Sequence, residues 1–164
     1  MTPYDLVLTP RGLRFLGRTY PCTIGKTGVT SRKKEGDGGT PKGIHRIVGM
    51  LYRPDRLARP TDWAKPIGPL DLWSDDTRDG DYNMMVRAPH SYSHEQLRRP
   101  DPLYDLVLLT DWNWPYAVKG HGSAIFIHQY RRPGYPTEGC IALSRAHLHH
   151  IAPLVRHQTR LIVA

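Results

Sequence analysis

The sequence predicts a mainly β domain, and three observations carry that reading. Apolar runs such as Leu106 to Leu109 and Ala124 to Ile127 have strand length and nothing longer recurs. Glycine and proline, at 15 residues each, are above average use and cut the chain into short pieces. Only one segment, near the C-terminus, repeats its apolar residues at a helical spacing. At 164 residues the chain fits one domain spanning 1–164, long enough to bury a real core and too short for two well-packed ones.

The opening reads as an antiparallel meander: Asp5 to Thr9, Leu13 to Leu16 and Thr19 to Ile24, separated by the turn signals Pro10-Arg11-Gly12 and Gly17-Arg18. Residues 26–43 hold almost no large apolar side chains and many glycines, so a long loop is expected there. A strand over Ile44 to Tyr52 follows, then a Pro-rich irregular stretch, a strand over Tyr82 to Arg87, and a helical or turn segment over Ser93 to Arg98. Tyr104 to Thr110 and Ser123 to Tyr130 read as buried strands. Leu148, Ile151, Ala152 and Val155 recur at i, i+3, i+4 and i+7, with Ser144 where an N-cap belongs. Pro153 lacks a backbone donor and should kink or restart that helix near Ala152. Thr159 to Val163 closes the chain as a strand.

No run approaches the roughly 18 apolar residues needed to span a bilayer, which excludes a transmembrane helix. Met1 to Leu8 shows neither a basic region nor a long apolar stretch, so no secretory signal is visible. Cys22 and Cys140 lie too far apart for a compact disulfide framework, and no CxxC pair exists. The net charge of +8 attracts polyanions, nucleic acid and carboxylate-bearing peptides alike, and it speaks to encounter and solubility more than to activity. A basic module that binds nucleic acid or another polyanion therefore stands beside an enzyme as a reading of this chain.

The chemistry concentrates in two segments. Ala124-Ile-Phe-Ile-His128 delivers an imidazole from an apolar strand, and Thr137-Glu-Gly-Cys140 delivers a thiol just before another apolar run. A hairpin-like connection between them would set both side chains on neighbouring strands, about 5 Å apart. An imidazole beside a thiol is expected to raise the thiolate fraction by forming an ion pair. Gly139, without a Cβ, allows a tight turn, and its amide with that of Cys140 could face an oxyanion. Spacing alone leaves an inert buried cysteine and a core histidine open. Zinc held by His121, His128 and Cys140 is a further alternative.

Residues from Thr9 to the C-terminus resemble the catalytic domain of the L,D-transpeptidase (YkuD-like) family, in a proteobacterial branch. The motifs are Gly36-Asp-Gly-Gly-Thr-Pro-Lys-Gly43, Asp81-Tyr-Asn-Met-Met-Val86, Ser93-His-Glu-Gln-Leu97 with Leu103-Tyr-Asp105, Gly122-Ser-Ala-Ile-Phe-Ile-His128 and Pro136-Thr-Glu-Gly-Cys-Ile-Ala-Leu143. The resemblance implies a β-sandwich or barrel of mixed sheets with one C-terminal helix packed on it. It implies that Cys140 attacks the L-to-D peptide bond of a stem tetrapeptide, that His128 takes the thiol proton, and that the main-chain carbonyl of Gln129 orients the ring. It implies peptidoglycan stem peptides as partners, no metal or organic cofactor, no specific nucleic acid, and an envelope or periplasmic location, with a cytoplasmic one left open by the missing signal. A monomer is expected. The chain departs from the commonest pattern in its shorter gap between histidine and cysteine, in Glu138 where a second histidine is usual, and in Ala142 where an arginine is frequent. An L,D-carboxypeptidase or another hydrolase would use the same thioester.

Thr137, His121 and Trp114 are expected to contact substrate. Trp112, Trp114 and Tyr116 around Pro115 read either as a cleft wall or as core packing. Arg32-Lys33-Lys34 reads as a solvated charge run that could steer acidic peptides. Lys26-Thr27 after Gly25 lacks the glycine five places earlier that a phosphate loop requires, because Tyr20 stands there. His147, His149, His150 and His157 read as a solvated helix face, and Cys22 as an inert strand residue.

Overall fold

The computed structural model of the chain describes residues Met1–Ala164. The predicted meander forms as β1 (Leu6–Thr9), β2 (Gly12–Phe15) and β3 (Arg18–Tyr20), antiparallel in sequence. Pro21 cannot donate to a ladder, and it ends β3 where one continuous strand to Ile24 was expected; β4 (Cys22–Thr23) starts on its far side. Short strands β5 (Val29–Thr30) and β6 (Thr40–Pro41) pair within the long loop. Then come β7 (Gly43–Tyr52), β8 (Lys65–Pro66), β9 (Asp71–Ser74), β10 (Met85–Arg87), β11 (His94–Gln96), β12 (Leu106–Thr110), β13 (Phe126–Gln129), β14 (Ile141–Leu143), α1 (Arg145–Ile151) and β15 (Arg160–Val163).

The main sheet is mixed and runs β3-β2-β1-β15-β7-β12-β13-β14-β4, with β8 added to β7. Its two edge strands, β3 and β4, are separated in the chain by Pro21 alone. The sheet must therefore curl until its edges meet, which is why it is nearly closed. Strands β10, β9 and β11 form a second, antiparallel sheet. This corrects two expectations: residues 93–98 contain a strand and not a helix or turn, and β9 arises inside the stretch read as irregular. Pairing of Glu95 with Trp73 across the small sheet decides the conformation, and local propensity gives no hint of it.

Alternation along β7, β12 and β13 sends side chains into two cores. Ile47, Met50, Leu106, Leu108, Ile127, Ile141 and Leu143 gather on one face, where α1 covers them with Leu148 and Ile151. Each of those two helix side chains is fully buried, a burial that stabilises by about 2–3 kcal/mol. Ser144 caps α1 by accepting the His147 amide at 3.2 Å. The α-helix stops at Ile151 and Ala152–Leu154 continues as a 3₁₀ turn around Pro153, at the break expected from the sequence. On the other face, Leu51, Val107, Phe126, Trp73, Leu97 and Tyr104 form a second core between the main sheet and the small one. The candidate site lies at the end of this second core. No helix is long and apolar enough to cross a membrane.

Candidate active site

Strand β13 pairs with β14 in parallel, with Ile127 opposite Ile141 and His128 opposite Ala142. The hairpin-like connection expected from the sequence is therefore a crossover: residues 130–140 must return along the sheet before β14 starts. Side chains alternate, so Ile127 and Ile141 enter the helix-covered core, while Phe126, His128 and Cys140 share the opposite face. His128 and Cys140 both line one cleft of about 510 Å³, together with Thr137, Glu138, Glu35, Glu95 and Tyr104.

The thiol of Cys140 donates to the carbonyl of Ala124 at 3.1 Å and accepts the Phe126 amide at 3.4 Å. Nδ1 of His128 lies 2.7 Å from the carbonyl oxygen of Gln129. A carbonyl can only accept, so Nδ1 carries the ring proton and Nε2 is left basic. Tyr104 packs edge-on against the imidazole, with ring centroids 5.3 Å apart. Burial lowers His128 to about 4, the Gln129 carbonyl opposing, and burial followed by the charge of Glu95 raises Cys140 to about 12. At rest the thiol and the imidazole that line this cleft are thus both neutral, with the thiol proton directed at the Ala124 carbonyl and not at the ring. The ion pair expected from the sequence is disfavoured because desolvation penalises both charges.

The turn that carries the thiol is held by side chains from elsewhere. Gly139 has φ +139°, and a Cβ there would sit 2.8 Å from the Gly39 carbonyl oxygen and 3.0 Å from Ile125 Cδ1, so only glycine fits. Thr137 is committed to this turn: its hydroxyl accepts the Gly139 amide at 3.2 Å and donates to the Cys140 carbonyl at 2.6 Å. The Gly139 amide, expected to face an oxyanion, is therefore occupied, whereas no side chain or carbonyl takes up the amide of Cys140. Lys26 pairs with Glu138 at 2.8 Å, and the Lys26 amide donates to the Thr137 carbonyl at 2.8 Å.

Several sequence-derived candidates lie elsewhere. His121 is exposed and its carbonyl accepts the Trp112 indole at 3.0 Å, so it stands outside the cleft and cannot join His128 and Cys140 around a zinc. Trp114 packs against the second core and lines a separate groove with Trp63 and Met85. Tyr116 is solvent-exposed. Cys22 lies opposite Leu143, and burial raises it to about 11.

Other cleft residues gave little warning in the sequence. Lys33, read within a solvated run, is buried, and its ammonium binds Asp37 at 2.5 Å. Glu35 accepts from the Ser123 hydroxyl at 2.8 Å and from the Tyr82 hydroxyl. Glu95 accepts from the Tyr104 hydroxyl, and burial raises its carboxyl above the usual range. Arg99 sits over the Tyr104 ring and is forked onto Asp101 at 2.6 and 2.8 Å. Glu95 and Tyr104 stand within motifs that carried the family resemblance, and that was the available signal.

A nearly closed mixed sheet that sets a thiol and an imidazole on one cleft defines a class of β-domain proteins. Comparison with protein families specifies it: the L,D-transpeptidase catalytic domain (YkuD) matches residues 8–163, and the chain belongs to that family. Among solved structures it is similar to an L,D-transpeptidase from Mycobacterium smegmatis, at 15% identity and a TM-score of 0.46, covering 98% of this chain and 57% of that one. The chain thus spans little more than half the length of that protein. A comparison with curated proteins finds no match.

Proposed function

We propose that the chain is a cysteine-dependent L,D-transpeptidase that remodels or cross-links peptidoglycan stem peptides in the cell envelope through a thioester. The observation that supports this most is a thiol and an imidazole on one wall of a single cleft, the imidazole with its Nδ1 against the Gln129 carbonyl. Cys140 Sγ attacks the carbonyl carbon of the bond to the terminal D-alanine, while its proton passes to Nε2 of His128. A sulfur–carbon bond forms. The carbon–nitrogen bond then breaks, and the leaving amine of D-alanine takes the proton back from His128. In the second half an amine of a neighbouring stem attacks the thioester, and the proton it loses returns through His128 to the sulfur.

With both groups neutral at rest, proton transfer accompanies attack instead of preceding it. Incubating the protein with stem tetrapeptides and an acceptor stem should release D-alanine and yield a cross-linked dimer by mass spectrometry, and Cys140→Ala should yield neither. Release of D-alanine with only a tripeptide product would identify water as the acceptor and make the chain an L,D-carboxypeptidase. Native-rate turnover by Cys140→Ala would sink both.

A further inference from the structure

The glycine-rich segment Gly36-Asp-Gly-Gly-Thr-Pro-Lys-Gly43 has no part in the chemistry described above, yet it lies directly against the nucleophile turn. Thr40 is 1% exposed. Its hydroxyl accepts the Gly25 amide at 2.9 Å and donates to the Gly139 carbonyl at 2.8 Å, a link between residues 99 positions apart in the chain. A hydroxyl has one proton, and the accepted amide leaves that proton to Gly139. Asp37 stiffens the approach by accepting the Gly39 amide at 2.8 Å, the Lys34 amide at 2.7 Å and the Lys33 ammonium at 2.5 Å.

The peptide joining Gly139 to Cys140 is a planar trans unit, so its carbonyl and its N–H point in opposite directions. Holding the carbonyl against Thr40 therefore turns the Cys140 N–H away from the glycine-rich segment. In the same turn the Gly139 amide and the Cys140 carbonyl are each taken up by Thr137, whereas the Cys140 N–H keeps a free donor. Gly139 has no Cβ to restrict the rotation of this peptide, so the Thr40 hydrogen bond is the contact that holds its carbonyl.

We propose that Thr40 is a positioning residue that fixes the Gly139–Cys140 peptide plane so that the Cys140 N–H serves as the oxyanion donor during acylation. The inference rests on Cys140 as the acylated thiol. It assigns the glycine-rich motif a mechanical role, carried by one hydroxyl.

The test compares two reactions of the same sulfur, followed by intact-protein mass. Acylation by a carbapenem passes through a tetrahedral oxyanion, whereas alkylation by iodoacetamide is a displacement at saturated carbon and forms none. Thr40→Val, equal in shape but without the hydroxyl, should acylate roughly 10- to 100-fold more slowly, with alkylation within about twofold of wild type. Thr40→Ser should restore the acylation rate. Asp37→Asn, which loosens the same segment from the surface, should slow acylation several-fold and spare alkylation, and it carries the comparison should Thr40→Val not fold. Unchanged acylation in Thr40→Val, or in Asp37→Asn when that variant stands in, overturns the proposal, as does an equal fall in both rates. Wild-type protein that alkylates but never acylates would instead refute the transpeptidase reading itself.

Discussion

Burial of His128 makes a quantitative prediction about acid. The ring is 6% exposed and burial lowers it from 6.5 to about 4, so the unfolded chain takes up this proton at higher pH than the folded one does. The stabilisation from keeping His128 neutral is complete above 6.5 and is lost as pH falls through the window to about 4. At about 1.36 kcal/mol for each pH unit the window is worth about 3 kcal/mol, a large part of the 5–15 kcal/mol that holds a domain together. Urea midpoints of wild type and His128→Gln between pH 7 and pH 4 isolate this contribution, because the carboxylates common to both cancel. The wild-type advantage should shrink steadily toward pH 4. Acylation of Cys140 should keep its acid limb near pH 4 as well, because Nε2 remains basic until then. Parallel stability curves, or an acid limb at 6.5, would refute the argument that desolvation sets the state of this imidazole.

Two further outcomes follow from the geometry. Gly139→Ala places a Cβ 2.8 Å from a backbone oxygen at φ +139°, and it should cost about 1–3 kcal/mol, seen as a thermal midpoint lower by several degrees; an unchanged midpoint would mean the turn is not under the constraint described. The charge of +8 should give only non-specific binding to duplex DNA that fades steeply as salt rises, and selective sub-micromolar binding to one sequence at physiological salt would favour a polyanion module instead.

Much of the sheet was legible because its strands alternate and their punctuation is explicit: Pro10-Arg11-Gly12 and Gly17-Arg18 bound β2, and Ser144 with Pro153 brackets α1. What stayed hidden was set by partners remote in sequence. Nothing local marks His94–Gln96 as a strand until β9 pairs with it, and nothing in Arg32-Lys33-Lys34 shows that the middle ammonium is buried against Asp37 while its neighbours face solvent. The thiol and the imidazole that share the cleft could be named from motif and residue type. Their protonation could not, because it depends on how much water the cleft excludes, and neither could the parallel pairing of β13 with β14, since the eleven residues between them permit either direction. Thr137, expected to contact substrate, lines the cleft, and what stayed hidden is that both of its hydroxyl bonds close the turn around Cys140.

The central claim is that Cys140 is the acylated thiol with His128 as its base, and the most direct measurement is intact-protein mass against time with a carbapenem, across pH. Wild type and Cys22→Ala should each take one adduct and Cys140→Ala none. His128→Ala should acylate slowly near neutrality and recover as pH rises, without a plateau below about pH 10, because burial keeps the Cys140 thiol protonated up to about 12. An adduct that persists in Cys140→Ala, or a His128→Ala defect that is the same at every pH, would contradict the account.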